Sequence, residues 1–337
     1  MTAQAYAAAA LAAALAACST PSTIIDAGSP VASRAPAHAA ITPGQPVPVV
    51  AHSDQLSLLD SDDPALERNK RIAFDLWRSV LDAGHVEVAE DLMAEGYIQH
   101  NPMVPTGRAA FMGFFSQRER LPEIPDTIQS ELVSIVAEDD LVVFSFVSEQ
   151  PVPGSDEETY TTTWFDMFRI EDGKVVEHWD AATLPPGMPR LAAAEGGPAP
   201  VLGASGASQL QLLESDDPAL ARNKRLVFDA WRSLIDAGRE SSALDFVAEG
   251  YIQHNPNAPT GREGLMGFLS MRDDQEVEEF IDWDLVAAVA EGDLVVFAFV
   301  RELPVPGSST ETYTTTWFDM FRIEDGLLAE HWDIAQR

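Results

Sequence analysis

Near the end of each half of the chain, two carboxylates and an imidazole fall within fifteen residues. "FDMFRIEDGKVVEHWD" runs from Phe165 to Asp180 and carries Asp166, His178 and Asp180. "FDMFRIEDGLLAEHWD" runs from Phe318 to Asp333 and carries Asp319, His331 and Asp333. A carboxylate in apolar surroundings has its pKa raised toward neutrality and becomes a usable base. A protonated imidazole beside it can stabilise a developing oxyanion. Together they suit removal of a proton from carbon beside a carbonyl, which needs no metal and no organic cofactor. A second repeated stretch, "AEGYIQHNP", begins at Ala94 and again at Ala248. Its His100 and His254 offer a further imidazole. Tyr97, Gln99, Asn101 and Trp164, with Tyr251, Gln253, Asn255 and Trp317, are the candidate substrate-binding residues. Two other readings exist. Asp166 and His178 suit a cross-strand ion pair with no chemistry. His100, Asp166, His178 and Asp180 are also metal-ligand types, but no HExxH-like spacing accompanies them, so no metal is expected.

The polar residues meet only if a hairpin brings them together. Glu171-Asp172-Gly173 separates two strand-like runs, and Asp-Gly is a hairpin signal. A three-residue loop with Gly173 left-handed would pair Ile170 with Lys174. Side chains alternate between faces, so Trp164, Asp166, Phe168, Val176, His178 and Asp180 would then share one face. Asp166 would stand opposite His178, and Trp164 opposite Asp180. A two-residue loop would instead divide Asp166 from His178.

Helices precede these strands. Asp62-Asp63-Pro64 predicts a capped helix start, and apolar residues then recur at helical spacing until Gly84. A second helix is expected over "VEVAEDLMAE", from Val86 to Glu95. "YIQHNP" reads as extended, since Asn101 precedes a proline. A third helix follows Gly107. The strands "TIQSELVSIVA", "LVVFSFVSE", "TYTTTWFDMFRI" and "KVVEHWD" complete the copy. Each copy is therefore α+β: three helices packed on an antiparallel sheet of about four strands.

The chain repeats itself over its whole folded length. "QLSLLDSDDPALERNK" from Gln55 returns as "QLQLLESDDPALARNK" from Gln209. A repeat of this length is a domain rather than a solenoid unit. The domains are residues 55–183 and 209–337, joined by a Pro/Gly/Ala-rich linker, 184–208. Residues 19–54 lack a strand or helix period and read as a disordered tether. Residues 1–18 form an uncharged Ala/Leu segment ending Leu15-Ala16-Ala17-Cys18, which is similar to a bacterial lipoprotein signal with Cys18 as the lipidated residue. No Lys or Arg precedes Cys18, unlike the usual pattern. The expected location is the bacterial cell envelope, with membrane contact only through that anchor. With 54 acidic against 21 basic residues and a net charge of −33, nucleic acid and anionic lipid are poor partners. One cysteine excludes an internal disulfide.

The order of helices and then sheet resembles the cone fold of nuclear transport factor 2-like proteins. "YIQHNP" followed by Gly107, together with the terminal hairpin, resembles the SnoaL-like family, which includes polyketide cyclases. The resemblance covers residues 56–183 and 210–335. It implies an acid/base aspartate on the last strand, at Asp180 and Asp333. It also implies a His on the preceding strand, where this chain has Asp166 and Asp319, so His178 and His331 would supply the imidazole instead. Pairing through the sheets is common in the family, which implies an intramolecular pseudo-dimer of the two domains. The expected function is cofactor-free acid/base catalysis, of aldol, cyclase or isomerase type, on a small hydrophobic carbonyl compound. The alternative is a non-catalytic periplasmic ligand-binding or scaffold lipoprotein that uses the same pocket.

Overall fold

The computed structural model describes residues 41–337 apart from 43, 156, 189 and 192–195. The signal-like segment and Cys18 lie outside the described residues.

Helix α1, Pro64–Leu76, begins as its sequence demands. The Asp63 side chain accepts from the Ala65 amide at 2.7 Å, and Pro64 occupies the first turn, where it has no donor to lose. The helix continues through a π-wound turn, Trp77–Asp82, and ends at Gly84. That residue has a φ of +70°, and a Cβ there would sit 2.7 Å from the Glu119 carbonyl, so two constraints select glycine. Ala73, Phe74, Leu76, Trp77 and Val80 form its buried face.

The second expected helix is shorter than its pattern suggests. A 3-10 turn, Val86–Val88, and α2, Ala89–Leu92, use its first part. Met93–Gln99 is instead strand β1. Helix α3 is Arg108–Phe115, followed by β2 Leu132–Glu138, β3 Leu141–Pro151, β4 Thr159–Glu171 and β5 Lys174–Asp180. The sheet has five strands in the order β1-β5-β4-β3-β2. Only the Tyr97–Gln99 end of β1 reads as extended from local sequence; its start, Met93–Glu95, does not, because the strand pairs in parallel with β5 from the far end of the domain. Long-range ladder bonds there outweigh a weak helical period. The second domain repeats the pattern with α4 Pro218–Ala230, α5 Ala243–Phe246, β6 Val247–Gln253, α6 Arg262–Leu269, β7 Leu285–Glu291, β8 Leu294–Pro304, β9 Thr312–Glu324 and β10 Leu327–Asp333.

The hairpin register differs from the expected one, yet the face assignment survives. The loop has two residues, with Glu171 opposite Lys174. Asp172 at φ +50° and Gly173 at φ +76° supply the two positive values of a type I′ turn. A bulge then adds one residue, Val176, between the pairs Arg169–Glu177 and Ile170–Val175. Loop and bulge together restore the parity, so Asp166 faces Asp180 and Phe168 faces His178. Val175, rather than Val176, joins the core.

The outer faces of the two sheets share one apolar layer. It includes Val143, Phe165, Met167 and Trp179 from the first domain with Val296, Phe318, Met320 and Trp332 from the second. Phe165 stacks on Phe318 at 5.4 Å. Burying each such Phe or Met contributes about 1.5–3 kcal/mol, so the layer outweighs a flexible linker in joining the domains.

Described residues within the expected tether and linker are packed. Val47 and Val49 are buried, as is Val201. The Val47 amide donates to Gln253 O, and the Ala199 amide to Gln99 O, both at 2.8 Å. The segment before each domain thus lies on the site region of the other.

Candidate acid–base site

Gln99, at the end of β1, organises the site of the first domain. Its Oε1 accepts from the backbone amides of His100 at 2.9 Å and Asn101 at 2.8 Å. Two amide donors identify that atom as the oxygen. Its Nε2 donates to the Tyr97 hydroxyl at 2.9 Å. His178 Nδ1 lies 2.9 Å from the same Oε1, so Nδ1 must carry a hydrogen. His178 Nε2 therefore keeps a lone pair whenever the ring is neutral, and it lies 2.9 Å from Asp166 Oδ1. One proton sits between them.

Burial decides where that proton resides. Asp166 is 3% exposed and His178 7%, and a dry site disfavours both charges. Desolvation pushes the Asp166 carboxyl up to about 8, opposed by the Trp164 indole N–H that donates to its Oδ2 at 2.7 Å. Desolvation pulls His178 down to about 4. Both shifts favour the neutral form of the pair, in which Asp166 donates from Oδ1 and His178 accepts.

Asp180 differs from Asp166 although the two face each other across the hairpin. Its Oδ1 accepts from the Ala182 amide at 3.0 Å and its Oδ2 from Asn101 Nδ2 at 2.6 Å. Both oxygens are held as acceptors. Burial raises its pKa to about 6, with His178 lowering it and Asp166 raising it. The two shifts favour one ionised and one protonated carboxyl near neutral pH, which is the division of roles that acid/base chemistry requires.

The second domain reproduces the arrangement. His331 Nε2 is 2.7 Å from Asp319 Oδ1, and its Nδ1 is 2.8 Å from Gln253 Oε1. Trp317 donates to Asp319 Oδ2. Asn255 and the Ala335 amide hold Asp333 at 2.6 and 3.0 Å. Burial raises Asp319 well above its ordinary value, raises Asp333 to about 6 and lowers His331 to about 4.

His100 and His254 do not join these clusters. Strand alternation turns them away from Gln99 and Asn101, and from Gln253 and Asn255. The His100 ring stacks on Trp179 at 5.0 Å. Its Nε2 lies 2.8 Å from Glu177 and its Nδ1 3.1 Å from the Ala199 carbonyl. His254 does the same with Trp332, Glu330 and the Val47 carbonyl. Both imidazoles bind the packed segments. Tyr97 and Tyr251 do belong to the sites, since the charges of Asp180 and Asp333, after burial, push their hydroxyl pKa well above the usual value.

Asp166, His178 and Asp180 bring ligand-type atoms within 4.8 Å of one another, as do Asp319, His331 and Asp333. A cation there would have to displace the proton shared by each Asp–His pair and compete with the amide donors to Asp180 and Asp333. The donor set fits a proton site better than a metal site. A surface groove of about 810 Å³, lined by Asp139, Leu210, Glu214, Asp216 and Arg225 among others, includes none of these residues.

The family model of the SnoaL-like domain matches residues 74–178 and 228–331. No curated protein matches the chain. Among solved structures, IdmH, a polyketide-cyclase candidate from Streptomyces antibioticus, is 20% identical over 34% of this chain and 90% of its own, with a TM-score of 0.25. TsrD from Streptomyces laurentii is 24% identical over 36% of this chain and 90% of its own, with a TM-score of 0.23. A SnoaL-like polyketide-cyclase candidate from Jannaschia sp. CCS1 is 21% identical over 36% and 90%, with a TM-score of 0.26.

Proposed function

The chain belongs to the SnoaL-like domain family, which it carries twice, and from that membership we propose that each domain performs cofactor-free acid/base chemistry on a small hydrophobic carbonyl compound. The carrying observation is the buried pair of facing aspartates, Asp166 held against His178 Nε2 and Asp180 held by Asn101 and the Ala182 amide. Asp180 takes a proton from the carbon beside the substrate carbonyl. The Tyr97 oxygen accepts from Gln99, so its own hydroxyl hydrogen is left to stabilise the enolate oxygen. The enolate carbon then attacks a second carbonyl, or is reprotonated elsewhere, and Asp180 returns the proton. Neutral Asp166 adds no repelling charge beside the enolate. Asp333, Tyr251 and Asp319 take the same roles in the second domain.

A second reading has an observation of its own. Both oxygens of Asp166 and Asp180 and both nitrogens of His178 already have partners within the chain. A saturated cluster suits a non-catalytic ligand-binding or scaffold module. Export, lipidation at Cys18 and a working unit made of both domains as a pseudo-dimer belong to either reading. A mass shift lost in Cys18→Ser would identify the lipid.

Proton-exchange NMR separates the two. Small ketones and 1,3-dicarbonyls are mixed with the protein in D2O. Exchange at the α-carbon should fall at least ~100-fold in the Asp180→Asn/Asp333→Asn double variant. No exchange above buffer across the panel would reject catalysis on this class and leave the binding module.

A further inference from the structure

Thr315 belongs to the second domain but touches the acid–base aspartate of the first. Its Oγ1 donates to the Ala182 carbonyl at 2.7 Å and lies 3.3 Å from the Asp180 carbonyl. Ala182 is also the residue whose amide donates to Asp180 Oδ1. One hydroxyl therefore pins the turn that holds the carboxylate. Thr162 of the first domain reciprocates, donating to the Ala335 carbonyl at 2.7 Å and lying 3.2 Å from the Asp333 carbonyl. Ala335 in turn supplies the amide to Asp333 Oδ1. Both threonines are buried.

Neighbouring residues of the repeated "TYTTT" stretch serve the same crossing. Thr161 accepts from the Val49 amide at 2.8 Å, and Thr314 from the Val201 amide at 2.7 Å. The Tyr160 hydroxyl accepts from the Arg337 amide, and the Tyr313 hydroxyl from the Leu184 amide. The first residues of β4 and β9 thus clamp the tail of the opposite half and the leading segment of their own. A buried hydroxyl requires a partner, and the crossing supplies one to Thr162 and Thr315, while the Oγ1 atoms of Thr163 and Thr316 are buried without one among the described residues.

We propose that Thr162 and Thr315 are positioning residues exchanged between the domains: Thr315 sets Asp180, Thr162 sets Asp333, and neither site is complete within its own domain. The proposal rests on the acid/base reading only in what it says the aspartates do. Their placement stands apart from it.

The test is a carboxyl-carbon NMR titration of the full chain, with a chelator present. Asp166, His178 and Tyr97 face Asp180, and Thr315→Val leaves all three in place. Loss of the hydroxyl frees Ala182, weakens its amide bond to the ionised carboxylate and should raise the Asp180 pKa by about half a pH unit or more, with Asp333 unmoved. Thr162→Val should raise Asp333 and leave Asp180. Thr315→Ser and Thr162→Ser keep the hydroxyl and should restore each value. Titrations unchanged in both Val variants, or both aspartates moving together in each, would overturn the proposal. A crossed pattern without proton-exchange activity would sink the catalytic reading and keep the positioning one.

Discussion

Lys224 Nζ and Glu138 Oε1 lie 2.9 Å apart across the boundary between the domains. The lysine also donates to the Glu214 carbonyl at 2.6 Å, and Glu138 Oε2 accepts from the Ala290 amide at 2.8 Å. Lys70 and Glu291 form the reciprocal pair at 2.6 Å. Lys70, Lys224 and Glu138 are buried, so an unpaired survivor of the Lys224–Glu138 pair is costly. Lys224→Met should destabilise the protein by about 3–5 kcal/mol in denaturant unfolding. Lys70→Met should cost less, because Glu291 is 21% exposed against 9% for Glu138 and can recover water. Replacing both Lys224 and Glu138 with apolar residues should cost less than the sum of the single changes. Additive costs would show that the pair is not coupled.

A neutral Asp166–His178 pair makes a prediction that an ion pair does not. In Asp166→Asn, the amide nitrogen donates to His178 Nε2 and the amide oxygen accepts from Trp164, as the protonated carboxyl does. Stability at pH 7 should stay within about 1 kcal/mol of the parent. An ion pair losing one charge would cost about 3–5 kcal/mol. The pH dependence follows from the signs. Asp166 is raised from 3.8 to about 8, so its contribution is full below 3.8 and is lost as pH rises toward 8. His178 is lowered from 6.5 to about 4, so its contribution is full above 6.5 and is lost as pH falls toward 4. The two oppose each other between pH 4 and 6.5. Above 6.5 the raised carboxyls Asp166 and Asp319 are no longer opposed by the histidines, so stability should fall as pH rises toward 8. Asp166→Asn should flatten that slope, with only the matching Asp319 contribution left. Unfolding curves at half-unit steps of pH measure it.

Local chemistry made much of this legible. Asp63 and Pro64 mark a helix start because capping depends on adjacent residues. The repeat places every element twice. The grouping of Asp166, His178 and Asp180 on one face is also readable, although the loop length behind it is not. A two-residue turn and a bulge at Val176 displace the pairing by an even number, and parity is all that a face assignment needs. His100 is the instructive miss. Alternation along an extended strand separates it from Gln99 and Asn101, and that signal was present in the spacing. The start of strand β1 and the packed segments were not readable, because their partners lie across the sheet or in the other domain. Val47, Val49 and Val201 sit among prolines and alanines, and only tertiary contact distinguishes them from a linker.

The leading segment of the first domain should matter to the second site and not to the first. A chain beginning at Ala51 lacks Val47 and Val49, whose burial contributes about 1.5–3 kcal/mol each. It also lacks the Val47 amide to Gln253 O and the Val47 carbonyl that faces His254 Nδ1. The matching contacts of the first site come from Ala199, which remains. Amide hydrogen exchange over residues 251–255 should therefore accelerate by at least ~100-fold, equivalent to about 3 kcal/mol of lost local stability, while residues 97–101 stay protected. Equal acceleration at both sites would mean that the segment supports the whole interface. No acceleration at either would mean that the buried valines contribute nothing to holding Gln253 and His254.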